Sequence, residues 1–207
     1  MSTTGCLNTA TFQSAEVVGH GESAKGIGIT YVETGDREFD DGSVGRSFSL
    51  PIISGWHRHG LTERLEIRGM YSIGAGLEGG VKYGMSGYSE ATGGQLSLGS
   101  TLRLGGMRRR SPPLEDGARG DTAWEAVLDA IVPVYVGYRF SDRFALSATP
   151  HYALRTISGI DNEITHLVGS NVGLEFGTNG LFFIDLMGGY DIRGASPLFS
   201  VGVATSR

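Results

Sequence analysis

The chain has 207 residues, of which 34 are Gly and one is Cys, and its formal net charge is −5. The length suits one domain with a sizeable core. The acidic balance disfavours a nucleic-acid-binding protein, and a single Cys excludes a disulfide scaffold or a thiolate zinc site. The Gly content is roughly twice average usage without a collagen period.

The N-terminus carries a short motif that ends in the only Cys. Thr3-Thr4-Gly5-Cys6 resembles the end of a bacterial lipoprotein signal, in which the Cys accepts the lipid. The resemblance implies an acylated Cys6 and membrane lipid as a partner. We therefore divide the chain into an N-terminal segment, residues 1–23, and a β-domain, residues 24–207.

Alternation with a period of two dominates the rest of the chain, and it predicts ten strands. In chain order the alternating segments are 25–33, 48–56, 65–73, 77–85, 96–104, 124–140, 144–154, 168–176, 182–192 and 199–203. The clearest is 124–140, whose even positions from Trp124 to Phe140 are all apolar, whereas its odd positions include Glu125, Asp129 and Arg139. Globular strands usually have about 5–6 residues, whereas a tilted bilayer-spanning strand needs about 9–11.

The alternation assigns one apolar and one polar face to each strand. In the second strand it groups Phe48, Leu50, Ile52 and Trp56 on the apolar face, which we expect to contact lipid. The opposite faces carry charges of both signs, and we expect them to form a paired network, since isolated buried charges are costly. The expected network is Glu66, Arg68, Glu78, Lys82, Arg103, Glu125, Asp129, Arg139, His151, Arg155, Glu175 and Asp185.

Apolar strand faces of this length predict a closed sheet. In hydrocarbon, an unpaired backbone N–H or C=O costs several kcal/mol, so a sheet must close on itself. We predict an all-β fold, a closed antiparallel transmembrane β-barrel of about ten strands, with a range of eight to twelve. Its connections alternate between short turns and longer loops, as in bacterial outer-membrane barrels.

Two turns resemble those of a known superfamily. The run from His59 to Ile67, HGLTERLEI, is similar to the periplasmic turn "YGLTDRLEL" of many outer-membrane β-barrels, and the run from Val136 to Leu146 is similar to a second such turn. The resemblance implies location in the bacterial outer membrane.

The sequence leaves several functions open. We favour a small barrel with a charged, plugged lumen that acts as a structural or interaction component or as a narrow conduit. A lipid-modifying enzyme with an active site near His151, Glu125 or Asp129 is an alternative, although no His is followed at the second position by Ser, the usual pair in barrel lipases. A soluble, lipocalin-like ligand-binding barrel is another.

Other features of the sequence suggest lipid contacts. Arg108, Arg109 and Arg110 could bind lipopolysaccharide phosphates, because Arg binds phosphate bidentately. Pro133 and Pro150 lack the N–H that a strand ladder needs. If Phe140 pairs with Phe144, Pro133 faces His151 and Val134 faces Pro150, so we expect a weak seam at this place in the wall. The apolar faces fit a protein partner in the outer membrane as well as they fit lipid. We identify no cofactor or metal motif.

Overall fold

The computed structural model describes residues 12–38, 44–48, 51–73, 76–86, 92–110, 122–158, 163–177, 182–192 and 196–206. The described part of the chain contains no helix that is long and apolar enough to cross a membrane. All of its regular elements are strands, as the period-two alternation predicts. They are β1 (Ser23–Glu38), β2 (Val44–Phe48), β3 (Ile52–Gly60), β4 (Leu65–Ser72), β5 (Gly76–Ser86), β6 (Gly93–Arg110), β7 (Thr122–Ser141), β8 (Phe144–Ile157), β9 (Glu163–Phe176), β10 (Phe182–Asp191) and β11 (Ser196–Ser206).

Each strand pairs antiparallel with its neighbours, and the sheet closes between β1 and β11. The closing register runs from Gly26 opposite Ser206 to Thr34 opposite Leu198. β2 and β3 pair with successive parts of β1, so together they form one position in the wall. The fold is therefore the predicted closed barrel with ten wall positions.

The two ends of the barrel differ in their connections. One end has tight turns such as Leu61–Arg64 and Asp142–Arg143, and the other carries the connection over residues 111–121. At the first turn, the Thr62 hydroxyl accepts hydrogen bonds from the Arg64 and Leu65 amides. We call these the turn end and the loop end. In outer-membrane barrels the short turns are periplasmic.

The side chains alternate across the wall as the sequence indicates. Large apolar side chains such as Leu102, Leu128 and Phe182 are more than 45% exposed on the outside, whereas charged side chains fill the inside. A protein surface this apolar is stable only in lipid, and closed barrels are the β-structures that span bilayers. The chain is thus a closed transmembrane β-barrel, and the soluble lipocalin-like alternative, which needs the apolar faces inside, is wrong.

One predicted face is inverted. Ile52 and Trp56 were expected to contact lipid, but they are 4% and 6% exposed and point into the barrel. The side chains of Phe48 and Leu50, on the same predicted face, lie outside the described residues. The outward positions of β3 are Ile53, Gly55 and His57. The prediction fails because the barrel interior holds a small apolar cluster that accepts Trp56.

Candidate functional site in the barrel lumen

The N-terminal segment enters the lumen from the turn end. Residues 19–22 cross the mouth of the barrel, where His20 forms a bridge with Gly60 and the Gly21 amide donates to the Gly60 carbonyl at 2.9 Å. From there the chain, followed backwards, runs inward to Phe12, which is 1% exposed. We call residues Phe12–Val18 the plug.

The wall binds the backbone of the plug. Extended backbone inside a barrel has carbonyl groups without ladder partners, and buried backbone groups need hydrogen bonds. Three consecutive plug carbonyls accept four hydrogen bonds from three side chains of the wall. Lys82 Nζ lies 3.1 Å from the Ser14 oxygen and 2.6 Å from the Glu16 oxygen, Ser97 Oγ lies 2.6 Å from the Ala15 oxygen, and Arg58 Nη2 lies 2.5 Å from the Glu16 oxygen.

The amides at the two ends of the plug are bound by wall carboxylates. The Phe12 amide donates to Asp185 Oδ2 at 3.0 Å, and the Val18 amide donates to Glu66 Oε2 at 2.8 Å. Hydrogen bonds to a charged partner are stronger than those between neutral groups. The plug is therefore held by charge-assisted bonds along its whole length.

The Phe12 ring occupies a site lined by glycine. A Cβ atom added to Gly28 would lie 2.7 Å from the ring, and one added to Gly202 would lie 2.8 Å from it. Phe12 belongs to a buried apolar cluster that includes Trp56 and Phe183, whose rings meet edge to face at 6.1 Å. The backbone of Phe12 has φ of 43°, a value that is uncommon outside Gly, so its burial offsets a strained conformation.

A first group of wall charges surrounds the plug. Arg58 makes a bidentate pair with Glu66, at 2.9 and 2.7 Å, and Lys82 lies 3.2 Å from the same carboxylate. Arg139 contacts Glu175 at 3.3 Å, and also the Glu16 carboxylate of the plug at 2.7 Å. We call Arg58, Glu66, Lys82, Arg139 and Glu175 the turn-end cluster.

A second group of charges lies nearer the loop end. Glu78 binds Arg68 at 3.0 Å and Arg103 at 2.6 Å. Asp129 makes a bidentate pair with Arg155, at 2.7 and 2.9 Å, and lies 3.8 Å from Arg103. These five residues form a chain of ion pairs across β4 to β8, and we call them the loop-end cluster.

The remaining predicted network residues also face the lumen. Asp185 accepts a hydrogen bond from Asn171 at 2.9 Å in addition to the one from the plug. Glu125 and His151 are half-buried on the inward faces of β7 and β8. The structure thus brings all twelve expected residues to the inner surface, but it divides most of them between two clusters.

Tyr135 lies between the two clusters and is fully buried. Lys82 Nζ of the turn-end cluster lies 5.1 Å from the centroid of its ring, and Arg68 Cζ of the loop-end cluster lies 5.9 Å from the same point. A cation over an aromatic face is attracted by the ring quadrupole. The sequence placed Tyr135 on the polar face of β7 but did not indicate this role.

His151 is half-buried on the inward face of β8. Its Nδ1 atom lies 3.2 Å from the Thr149 carbonyl oxygen. A catalytic His needs a hydroxyl nucleophile or an orienting carboxylate within hydrogen-bond reach. In the described ranges no hydrogen bond joins His151 to either group, and Asp129 is occupied by arginines. Across the same ranges, no group of three or more His, Cys, Asp or Glu residues could hold a metal ion.

The predicted seam at Pro133 is present. The pairing of β7 with β8 passes from Pro133–His151 to Val136–Ala148, and the pairing of β7 with β6 passes from Leu98–Val134 to Thr101–Ile131. The ladder therefore has a gap of two residues on each edge of β7. Behind the gap the lumen is filled, because the side chains of Pro133 and Tyr135 are almost completely buried.

Two predicted contact sites lie outside what the structure describes. Cys6 precedes the first described residue. Arg108, Arg109 and Arg110 form the loop-end terminus of β6, where their backbone pairs with β7, but their side chains are not described.

The plug was not predicted from the sequence. Residues 12–18 lack strand alternation because they pack against several wall strands and not within the sheet. A weak signal exists in retrospect: inward-facing glycines such as Gly28, Gly137 and Gly202 leave room for a chain inside the barrel.

No family model matches the sequence, and no curated protein matches it. Solved structures with a similar fold are outer-membrane barrels. Ail, the attachment invasion locus protein of Yersinia pestis, is 11% identical, with 91% of this chain and 99% of that chain covered and a TM-score of 0.38. The translocator domain of the autotransporter NalP from Neisseria meningitidis is 13% identical, with 90% and 88% covered and a TM-score of 0.47. An outer-membrane channel from Pseudomonas putida F1 is 12% identical, with 93% and 98% covered and a TM-score of 0.42.

Proposed function

We propose that this protein is an outer-membrane barrel whose lumen is closed by its own N-terminal segment, and that it acts as a structural or interaction component and not as a diffusion pore. The observation that carries the proposal is the binding of three consecutive plug carbonyls by Lys82, Ser97 and Arg58. Side chains aimed at backbone carbonyls hold a polypeptide regardless of its side-chain sequence.

The charge arrangement supports a closed resting state. Lys82 is fully buried, and its ammonium group has the Glu66 carboxylate and two plug carbonyls as partners. Withdrawing the plug would remove two of these three partners, and an incompletely satisfied buried charge is expensive unless water replaces the lost bonds. The plug therefore completes the turn-end cluster, and its removal would require the lumen to hydrate.

Solute flux into liposomes tests the closure. Full-length protein reconstituted in liposomes should give no swelling with a small sugar such as arabinose. Deletion of residues 1–18 removes the plug and should produce a water-filled, conducting lumen. Deletion of residues 1–11 is the matched control, because it shortens the same terminus but leaves Phe12–Val18 in place, and it should stay closed.

Each result has a clear meaning when folding is checked by the mobility shift of unboiled samples. Swelling by the full-length protein would overturn the proposal in favour of the narrow conduit. A folded 1–18 deletion that remains closed would show that the wall charges alone obstruct the lumen, and it would also overturn the role assigned to the plug.

Two lipid contacts complete the proposal. Arg108, Arg109 and Arg110 extend β6 at the loop end, the end that faces the cell surface in outer-membrane barrels, so we infer that they bind lipopolysaccharide phosphates. Arg108→Gln, Arg109→Gln and Arg110→Gln together should lower the lipopolysaccharide that copurifies with the barrel. Unchanged lipopolysaccharide content would contradict the inference.

The acyl anchor at Cys6 is the second contact that we propose. Phe12 is bound inside the lumen, and the six peptide units between it and Cys6 can span at most about 20 Å. Mass spectrometry of the protein expressed with a lipoprotein signal tests for the added lipid. A Cys6→Ser variant provides the control, and an unmodified Cys6 thiol would refute the anchor.

A further inference from the structure

A groove interrupts the outer wall of the barrel on β1, β3, β4 and β5. Its volume is about 720 Å³, and its floor includes the outward-facing Gly55 and Gly69. Lys25, His57, Gly69 and Gly79 are aligned by the strand register in one row across the four strands. The next row towards the loop end consists of Ile27, Gly55, Tyr71 and Leu77.

The barrel itself does not require glycine in this groove. A Cβ atom added to Gly55 or Gly69 would meet no atom closer than 3.8 Å, and one added to Gly79 would meet nothing within 4 Å. None of the three has a positive φ. Glycine weakens a strand, and where neither conformation nor packing demands it, it often marks a site that another molecule approaches closely.

The edge of the groove is cationic, whereas most of the outer wall is apolar. Lys25 and His57 face outward on the side of the groove nearer the turn end. His59 lies two residues further along β3, and its Nδ1 atom is hydrogen-bonded to the Ser23 hydroxyl at 2.8 Å. The side of the groove nearer the loop end is bordered by the apolar Ile27, Tyr71 and Leu77, each more than 50% exposed. One side of the groove therefore suits an anionic group, and the other suits a hydrocarbon chain.

The opposite side of the barrel has a different surface at the turn end. There Tyr138, Phe140, Phe144 and Phe176 form consecutive ring contacts with centroid distances of 4.8, 5.3 and 5.4 Å. Aromatic side chains of this kind mark the level of the lipid headgroups in outer-membrane barrels. Lys25 and His59 take the corresponding place at the turn ends of β1 and β3, which puts the cationic edge of the groove at headgroup level.

We propose that this groove binds one anionic glycerophospholipid of the turn-end leaflet. Its phosphate lies against Lys25 and His57, and one acyl chain lies on Gly55 and Gly69 between Ile27 and Tyr71. The binding is noncovalent, and it is independent of whether the plug closes the lumen.

Native mass spectrometry of the intact barrel, released from nanodiscs, tests the site. The probes are phosphatidylglycerol, which is anionic, and phosphatidylcholine, which has the same acyl chains and no net charge. The wild-type protein should retain one phosphatidylglycerol molecule and retain phosphatidylcholine less well. Gly69→Leu fills the floor and should abolish retention of both lipids.

Two further variants separate charge from shape. Lys25→Ala should weaken retention of phosphatidylglycerol about fivefold, the size expected for one Lys at an anionic surface, and weaken retention of phosphatidylcholine less, because its choline cation offsets the charge of the phosphate. Gly94→Leu is the matched control, because Gly94 also faces outward with nothing within 4 Å of its added Cβ, but lies on β6 away from the groove.

Several results would overturn the proposal. These are equal retention by wild type and Gly69→Leu, equal loss in Gly94→Leu, or the same effect of Lys25→Ala on both lipids. Dimers that disappear in Gly69→Leu without a change in bound lipid would assign the groove to a second copy of the chain. The unboiled mobility shift confirms that each variant is folded before it is scored.

Discussion

The two charged clusters of the lumen both pair basic side chains with carboxylates, but they bind different partners. In the loop-end cluster, Arg155 and Asp129 satisfy each other with a bidentate pair, and the cluster uses wall residues only. In the turn-end cluster, Arg58, Lys82 and Arg139 each divide their donors between a wall carboxylate and the plug. The comparison teaches that a network of buried ion pairs can join wall strands to one another or can form a receptor for a peptide segment.

The largest difference between the clusters is expected at Glu66, which binds two wall cations and the Val18 amide. Glu66→Gln keeps the size of the side chain but leaves Arg58 and Lys82 without their shared counter-charge. Removing one partner of a buried ion pair costs about 3–5 kcal/mol. We expect a loss of this size in the free energy of unfolding, measured by urea titration of the folded band in detergent.

Glu63→Gln, in the exposed turn between β3 and β4, is the control for the charge change and should be neutral. Glu66→Gln should also make the plug accessible to added protease in the folded barrel. A stable, protease-resistant Glu66→Gln protein would mean that the cluster does not depend on this carboxylate.

A steric test addresses the plug without altering any charge. Gly28→Ala places a methyl group 2.7 Å from the Phe12 ring, and overpacking of this kind typically costs about 1–3 kcal/mol. The double variant Gly28→Ala with Phe12→Ala should remove the clash with the ring and leave only the contact with the Ala204 Cβ at 2.9 Å, so the two effects should be non-additive in a double-mutant cycle. Additive effects would show that the ring does not occupy this site in solution.

The loop-end cluster should respond less, and without releasing the plug. Asp129→Asn leaves Arg155 with a neutral partner, but Arg155 retains some exposure, so water can replace the lost bond. We expect a loss of about 1–2 kcal/mol in the free energy of unfolding, with protease resistance of the plug unchanged. Asp142→Asn, in the exposed turn after β7, should have no effect, and plug release by Asp129→Asn would contradict the division into two clusters.

The smallest effect is expected in the wall between the clusters, at the gap beside Pro133. Val134 has no ladder partner on β8, and amides that lack ladder partners exchange faster, so Val134 should exchange hydrogen for deuterium sooner than Leu128, which is paired with Thr156 in the same ladder. The filled lumen behind the gap should keep the difference local. Equal exchange rates along β7, measured by mass spectrometry in nanodiscs, would show that the gap has no dynamic consequence.

The sequence by itself determined the outer surface and the order of the strands. Alternation is a local property, because successive side chains of a strand point to opposite faces, and unpaired backbone cannot remain in hydrocarbon. The inward position of the twelve network residues followed from the same local pattern, whereas the turn from His59 to Ile67 was identified by its resemblance to those of outer-membrane barrels. Ile52 and Trp56 were exceptions, since an apolar residue that packs inside the lumen cannot be distinguished by pattern from one that faces lipid.

Only the tertiary structure decided what fills the lumen and which charges meet. Phe12 and Asp185 are separated by 173 positions, and they come together only because the sheet closes and the N-terminal segment enters it. Strand alternation gives the face on which a charge lies but not the height of its partner across the barrel, which depends on the register of every intervening strand. The division of most of these residues between a cluster of wall residues and a plug-binding cluster is therefore a property of the closed barrel.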